Sequence, residues 1–295
     1  MNKIFKWIGI VLGSLSGLLL ALALVFLILG NMRLNKTYDF PADSVIVPTD
    51  DASIARGKHI AETTCAQCHG ADLGGVGGWF KMEGVGEVDA SNLTTGLGGV
   101  GSVYTSDAEY VRAIRHGIDS EGKPIFMPAV LVYQRMSDED LGAVIAYLKV
   151  APPVDRVTEG SFDAMGKIML GAGLFGKLPV EEASHATTVS APKAGVTVEY
   201  GEYLAVLGDC ASCHGADYAG GAYPDPSVTL PVPNITPAGN IGAWTEEEFI
   251  AAMREGITPE GKPLAPAFMP FEAIGKMTDD ELAALYLFLQ SLPAQ

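Results

Sequence analysis

The chain opens on an apolar stretch, Trp7 to Gly30, that runs 24 residues without a charge. As a helix it would reach about 36 Å, enough to cross a hydrocarbon layer about 30 Å thick. A cleaved signal sequence has a shorter apolar region, about 7 to 15 residues, and ends in small residues of the A-x-A type. Here the run passes directly into Asn31-Met32-Arg33-Leu34, so an uncleaved anchor over residues 1–36 is the expectation. Lys3 and Lys6 before the stretch balance Arg33 and Lys36 after it, and flanking charge alone sets no orientation.

From residue 45 the pattern changes to short helical stripes separated by Gly- and Pro-rich chain, and it occurs twice. Leu141, Val144, Ile145 and Leu148 share one face of a helix starting at Ser137. Leu282, Leu285 and Leu289 do the same on a helix starting at Thr278. Capping boxes at Ser106-Asp107-Ala108-Glu109 and Thr245-Glu246-Glu247-Glu248 announce a shorter helix in each half. Other segments repeat in the same order: Cys65 with Cys210, Asn92-Leu93-Thr94 with Asn234-Ile235-Thr236, Gly122-Lys123-Pro124 with Gly261-Lys262-Pro263, and Met127-Pro128 with Met269-Pro270. The earliest helix of each half is expected from about Ser53 to His69 and from about Val198 to His214.

This predicts an all-α body built as one small domain made twice, over 45–150 and 196–295. The linker, 151–195, begins Pro152-Pro153 and ends in a Ser/Thr/Ala/Pro-rich run. In its middle Met165, Ile168, Met169, Ala172 and Phe175 form a helical stripe, expected to pack against the domains, with docking to a membrane partner as the alternative.

Charge divides the chain. Residues 1–36 contain four basic and no acidic side chains, which leaves 15 basic against 35 acidic, net −20, in the remainder. Such a body is repelled by nucleic acid and steered towards a partner with a basic face. No phosphate-binding Gly-rich motif is present, because the glycines between Gly70 and Gly101 lack a Lys-Ser/Thr ending; they read as loop around a ligand edge.

All four cysteines lie in two copies of one pentapeptide, Cys65-Ala-Gln-Cys68-His69 and Cys210-Ala-Ser-Cys213-His214. Cys-x-x-Cys-His is the attachment signature of c-type haem. Both sulfurs and the imidazole share a helical face, so the thiols reach two vinyl groups of one porphyrin while His69 or His214 reaches the iron. A thioredoxin-like pair needs no such histidine, and a zinc ribbon needs its halves closer in sequence. Two covalent haem c groups are predicted, on Cys65 and Cys68 and on Cys210 and Cys213.

The sixth iron ligand decides between electron transfer and chemistry on a small molecule. Met127 and Met269 are matched, each preceded by Phe and followed by a rigid Pro on irregular chain, and are expected to be the axial partners of His69 and His214. Met136 and Met277 are matched too, but each precedes a helix N-cap, where a hydrophobic staple onto Leu141 or Leu282 explains it. Met82 is a further candidate for the first haem. His59, His116 and His185 have no matched histidine in the other half.

With these motifs the chain resembles the bacterial membrane-anchored di-haem class I cytochromes c, in particular the cytochrome subunits that serve periplasmic dehydrogenases such as quinoprotein alcohol dehydrogenases. The likeness rests on Cys-x-x-Cys-His followed by Gly, Asn-Ile-Thr-Pro from Asn234 to Pro237, Trp244-Thr245, and Phe-Met-Pro. It departs in the first unit at Thr95, where Pro is usual, and at Tyr104, near the usual Trp. The resemblance implies a transmembrane helix followed by two tandem class I cytochrome c domains. It also implies haem packing by Asn92, Thr94, Asn234, Thr236 and Trp244. It implies a single-pass protein of the bacterial inner membrane, amino terminus in the cytoplasm and haem domains in the periplasm. Its role would be to transfer single electrons between a dehydrogenase and a respiratory acceptor, without independent catalysis, as a mobile carrier or a fixed subunit. The alternative is a di-haem enzyme, such as a peroxidase or sulfur-compound dehydrogenase, with one displaceable axial ligand.

Overall fold

The computed structural model describes residues 3–40, 44–224 and 228–295. The long apolar run forms α1, Lys3–Leu34, which by length and composition can cross a membrane, with a mean hydropathy of 2.6 over its best window. Next come α2 (Asp51–Thr63), α3 (Ala66–His69), strands β1 (Val76–Met82) and β2 (Gly86–Ala90), α4 (Asp107–Val111), α5 (Val130–Tyr133) and α6 (Asp138–Leu148). Linker helices α7 (Ala164–Gly171) and α8 (Pro179–Glu182) follow. The second unit has α9 (Val198–Leu207), α10 (Cys210–His214), strands β3 (Gly221–Ala222) and β4 (Pro231–Val232), α11 (Glu246–Glu255), α12 (Phe271–Ile274) and α13 (Asp279–Ser291).

Both capping boxes form as the sequence predicts, at Ser106 with Glu109 and at Thr245 with Glu248. Ser137 and Thr278 cap α6 and α13 through side-chain bonds to Asp140 N and Glu281 N. The fold is mostly helical, but two antiparallel ladders depart from the all-α expectation: β1 with β2, bulged between Val76 and Phe80, and β3 with β4. The helices expected to run unbroken through the haem motifs are interrupted. In the first unit the Thr63 and Thr64 hydroxyls bond back to the carbonyls of His59 and Ile60, competing with the helical ladder. In the second, Asp209 adopts a left-handed backbone, φ 54°, just before Cys210.

Each unit is organised by a helix crossing so close that only glycine fits. A Cβ on Gly57 of α2 would lie 1.9 Å from the Ala143 carbonyl oxygen of α6, and one on Gly201 of α9 would lie 2.0 Å from the Ala284 carbonyl oxygen of α13. Around the crossings lie the two cores, one with Ile60, Val111, Leu141 and Ile145, the other with Phe249, Met253, Leu282 and Leu285.

The units are docked rather than strung. Tyr200, Tyr203, Leu204 and Leu207 of α9 are buried in the first core. Across the seam, His59 Nε2 stands 2.7 Å from Glu281 Oε2, and Tyr203 donates its hydroxyl proton to Asp140 Oδ2 at 2.8 Å. Arg56 of α2 completes the second contact with a 2.5 Å bond to Asp140.

The linker helix departs from expectation. It is shorter than its apolar stripe, because Gly173 at φ 76° closes it: Leu174 N donates to Met169 O and Gly173 N to Leu170 O, a Schellman ending. Its buried residues are Gly166 and Leu170, whereas Met165 of the stripe is 53% exposed. It packs on the end of α1, with Gly30 against the Lys167 carbonyl and Gly171 against the Phe26 carbonyl. Arg33 donates to the carbonyls of Leu170 and Gly176 and pairs with Glu181 at 2.9 Å. Leu34, Tyr38 and Phe40 then join Ile118, Leu170, Leu178 and Val180 in a third cluster.

Two outcomes follow. Gly57→Ala should destabilise by about 3 kcal/mol, the upper part of the over-packing range, whereas Gly77→Ala, whose Cβ would meet nothing closer than 4.0 Å, should leave the thermal midpoint unchanged. The seam should also respond to pH. The Glu281 hydrogen bond raises His59 above its ordinary 6.5, so that contribution is complete below 6.5 and lost as pH rises through the shifted value. Burial pushes the Glu281 carboxyl up, but hydrogen bonds from His59 and Thr278 outweigh it and hold it below its ordinary 4.5, so that contribution is complete above 4.5 and lost as pH falls. Thermal stability should therefore peak between those two values, and Glu281→Gln should flatten the profile.

Candidate functional site

Each Cys-x-x-Cys-His segment sits at the mouth of its own core. Cys65 and Ala66 pack on the first cluster beside Leu93, Tyr104 and Tyr133; Cys210 and Ala211 pack on the second beside Ile235, Leu264 and Met269. The four thiols are partly exposed by area and unbridged. Burial pushes Cys65 and Cys68 up, and it drives Cys210 up to about 12, with the Asp209 carboxylate adding to it. Burial thus disfavours the thiolate at each of these sulfurs, which is the reverse of the depressed pKa that activates a redox-active pair.

The histidines carry the clearest geometry. His69 Nδ1 lies 2.6 Å from the Ser91 carbonyl oxygen, and His214 Nδ1 lies 2.9 Å from the Pro233 carbonyl oxygen. A carbonyl accepts only, so in both rings Nδ1 carries the proton and Nε2 keeps its lone pair. Burial also lowers the pKa of both rings, more than their carbonyl bonds raise it, and favours the neutral, ligating form. A neutral imidazole pinned through one nitrogen is how a protein prepares the other for a metal. Two neutral thiols and one such imidazole in each unit fit a covalently held haem.

The accepting carbonyls are fixed by the Asn-x-Thr turns that follow them. Asn92 Oδ1 accepts from Thr94 N and Thr94 Oγ1, while its Nδ2 donates to the carbonyls of Val154 and Arg156. Asn234 Oδ1 accepts from Thr236 N, and its Nδ2 donates to the Gln295 carbonyl. In each unit the turn thus ties the carbonyl beneath the histidine to the chain leaving the last helix. Asn92, Thr94 and Thr236 are fully buried. Trp244 is buried in the second core and donates its indole proton to Glu260 at 2.9 Å. The polar groups expected to face a haem are thus engaged with protein.

Of the methionines, Met136 and Met277 are buried in the two cores directly before the caps of α6 and α13. Met269 packs on the second core with Cys210. Met127 is half-buried, and its neighbour Phe126 turns into the third cluster, 4.8 Å from the ring of Phe162. Met82 lies on β1, 41% exposed. Arg115 is wholly buried, donating to the Met136 carbonyl and pairing with Asp138, and Arg254 makes the matched contacts to Gly275 and Asp279. Ser91 and Pro233 are not legible in the sequence, because a backbone acceptor leaves no residue signature, and the paired arginines stand at matched positions of the repeat whose spacing says nothing of their contacts.

The chain matches the Cytochrome c family over residues 54–151 and 198–293. It is 38% identical over 103 residues to the fructose dehydrogenase cytochrome subunit of Gluconobacter japonicus, covering 32% of this chain and 21% of that one. It is 42% identical over 98 residues to the cytochrome c subunit of the quinone alcohol dehydrogenase of Komagataeibacter europaeus, covering 31% and 21%. A diheme cytochrome c-type protein of Cereibacter sphaeroides is 34% identical over 114 residues, covering 34% and 38%. The alignments with the two dehydrogenase subunits thus take in about a fifth of each relative's length. With a Cys-x-x-Cys-His segment in each matched stretch, the chain belongs to the cytochrome c family and carries two haem c groups.

Proposed function

We propose that this protein is a membrane-tethered di-haem cytochrome c that passes single electrons from a periplasmic or membrane dehydrogenase to a respiratory acceptor. The observation that carries the reading is the matched pair of imidazoles, each held by a backbone carbonyl with Nε2 left to ligate. Cys65 and Cys68, and Cys210 and Cys213, hold the porphyrins by thioether links. His69 and His214, together with Met127 and Met269, would ligate the two irons. When bound, haem supplies one-electron chemistry at iron, at a potential that thioether ligation sets high.

The remaining residues work by holding still. The Asn-x-Thr turns keep Ser91 and Pro233 under the rings. Arg115 and Arg254 tie the chain after each Met-Pro segment to the start of the last helix. Domain spans of 45–150 and 196–295 follow the duplication, with 151–195 between them. Helix α1 anchors the chain with its amino terminus in the cytoplasm. Of the segment from Arg33 to Asp51, the described residues 33–40 lie along the first unit and its linker, and Ile46 lies against Gly142 of α6. The haem units are therefore held beside the membrane rather than swung on a loose tether, which concentrates them near membrane complexes. Relatives named as cytochrome subunits of sugar and alcohol dehydrogenases support a dehydrogenase as donor. The acidic body would meet a basic face on its partner. An enzymatic reading centres on the first haem, because Met269 packs on the second core whereas Phe126, next to Met127, turns into the linker cluster.

Titration of the full-length holoprotein in mild detergent separates the two readings. Both haems should remain six-coordinate, titrate at high potential and ignore carbon monoxide and peroxide. Carbon monoxide binding with peroxide turnover at the first haem would establish the enzyme instead. Asn234→Ala should lower stability by about 1 kcal/mol, through the Thr236 amide it leaves unpaired. It should also shift the midpoint potential of the second haem and spare the first; denaturant melts and a redox titration read both, and an unmoved second potential removes the turn from the ligand's support.

A further inference from the structure

The apolar stripe of α7 is the feature that packing leaves unexplained. The helix meets α1 through Leu170 and Gly171, sets Gly166 against Val85 at the hairpin, and leaves Met165 and, just past its end, Leu174 uncovered. Met165 is 53% and Leu174 70% exposed, beside Leu29 and Met32 of α1 at 41% and 62%. Gly30 meets Lys167, and Gly171 meets Phe26, so α7 runs antiparallel to α1 and descends alongside its last apolar turns. Arg33 and Phe26 are seven residues apart, so Gly171 lies about 10 Å below Arg33 along α1. Phe26 lies inside the uncharged run Trp7–Gly30, so a spanning α1 carries the end of α7 into the outer layer of the membrane.

Two further features suit a lipid surface. At the deep end of α7 the Schellman turn and the Arg33 guanidinium take up the carbonyls of Met169 and Leu170, which favours an apolar medium. Charge is also sorted. Residues 3–38 and 164–180 contain no acid in a chain of net charge −16, and Lys36, Lys167 and Lys177 lie near where the two segments meet, while Arg33 is paired with Glu181. Basic groups there attract an anionic headgroup layer, and the lysine stems can extend to it from below. A groove between the helices, lined by Leu29, Met32, Asn31, Asn35 and Lys36, offers apolar wall and hydrogen-bond donors together.

We propose that α7 and its Gly173 turn are a lipid-facing wedge, seated in the outer headgroup layer of an anionic membrane with Met165, Met169 and Leu174 towards the acyl chains. This rests on the reading of α1 as a membrane span. The linker then fixes the height of the first haem unit above the bilayer, because α7 carries the hairpin of β1 and β2 at Gly166 and the Phe162 ring against Phe126.

Nitroxide labels at Leu174→Cys, Leu18→Cys and Ile257→Cys in the full-length holoprotein, placed in phosphatidylglycerol-containing nanodiscs, test this. The Leu174 label should show an oxygen-to-nickel-chelate accessibility ratio several-fold above that of Ile257 and below that of Leu18. A chelate-exposed Leu174 with a lipid-exposed Leu18 overturns the wedge and leaves the span standing. A chelate-exposed Leu18 overturns both. A Leu174 label closed to oxygen and chelate alike means that protein, not lipid, covers the stripe, and also overturns the proposal. Hydrogen exchange of the unsubstituted chain reads the same point without a mutation: amides 172–176 should be slower in nanodiscs than in detergent-free amphipol, and equal rates count against the wedge.

Discussion

Both units depend on one steric allowance: at Gly57 and at Gly201 a helix backbone rests on the carbonyl of another helix with no side chain between them. Two helices that cross this closely fix each other's rotation. The residues following α2 and α9 therefore leave the crossing in a set direction, and the thiols and imidazole of each haem motif are delivered to the edge of a core. The same fixity reaches the far end of α6 and α13, from which the chain returns to be bound by Asn92 or Asn234. Crossing, histidine and exit segment form one mechanical loop, made twice.

Duplication also supplies the seam. His59 and Tyr203 occupy matched places on α2 and α9, as Asp140 and Glu281 do on α6 and α13, and each aromatic ring reaches the carboxylate of the other unit. The contact is isologous in pattern, as in a two-fold dimer, though it lies within one chain. It brings the helices that lead into both haem motifs side by side.

Much of this could be read from residue types. The capping boxes, the apolar faces of α6 and α13, the buried Met136 and Met277 and the repeated order of motifs all follow from local chemistry, and local chemistry is written in side chains. The missing parts are those made by backbone or by absence of bulk. Ser91 and Pro233 act through carbonyls, which any residue would supply. The linker stripe suggested burial because periodicity reports which residues share a face, not which face wins; on α7 the small face won, since Gly30 and Gly171 allow a closer approach than Met165 or Met169 would. The glycine-rich stretch after the first haem motif was legible as irregular chain but not as a bulged hairpin, whose pairing depends on contacts with Ser161 and Phe162 far along the sequence.

The two halves of the seam are no longer chemically alike. In a dimer of identical subunits, any substitution at such a contact appears on both sides of the axis, so a change that helps one side burdens the other. Fusion into a single chain removes that coupling. Here one half presents a phenol, which holds its proton across the physiological range, and the other an imidazole, which does not. Within one chain, therefore, one contact keeps its charge state as pH changes while the other gains or loses a charge, and the two sides of the seam can respond independently.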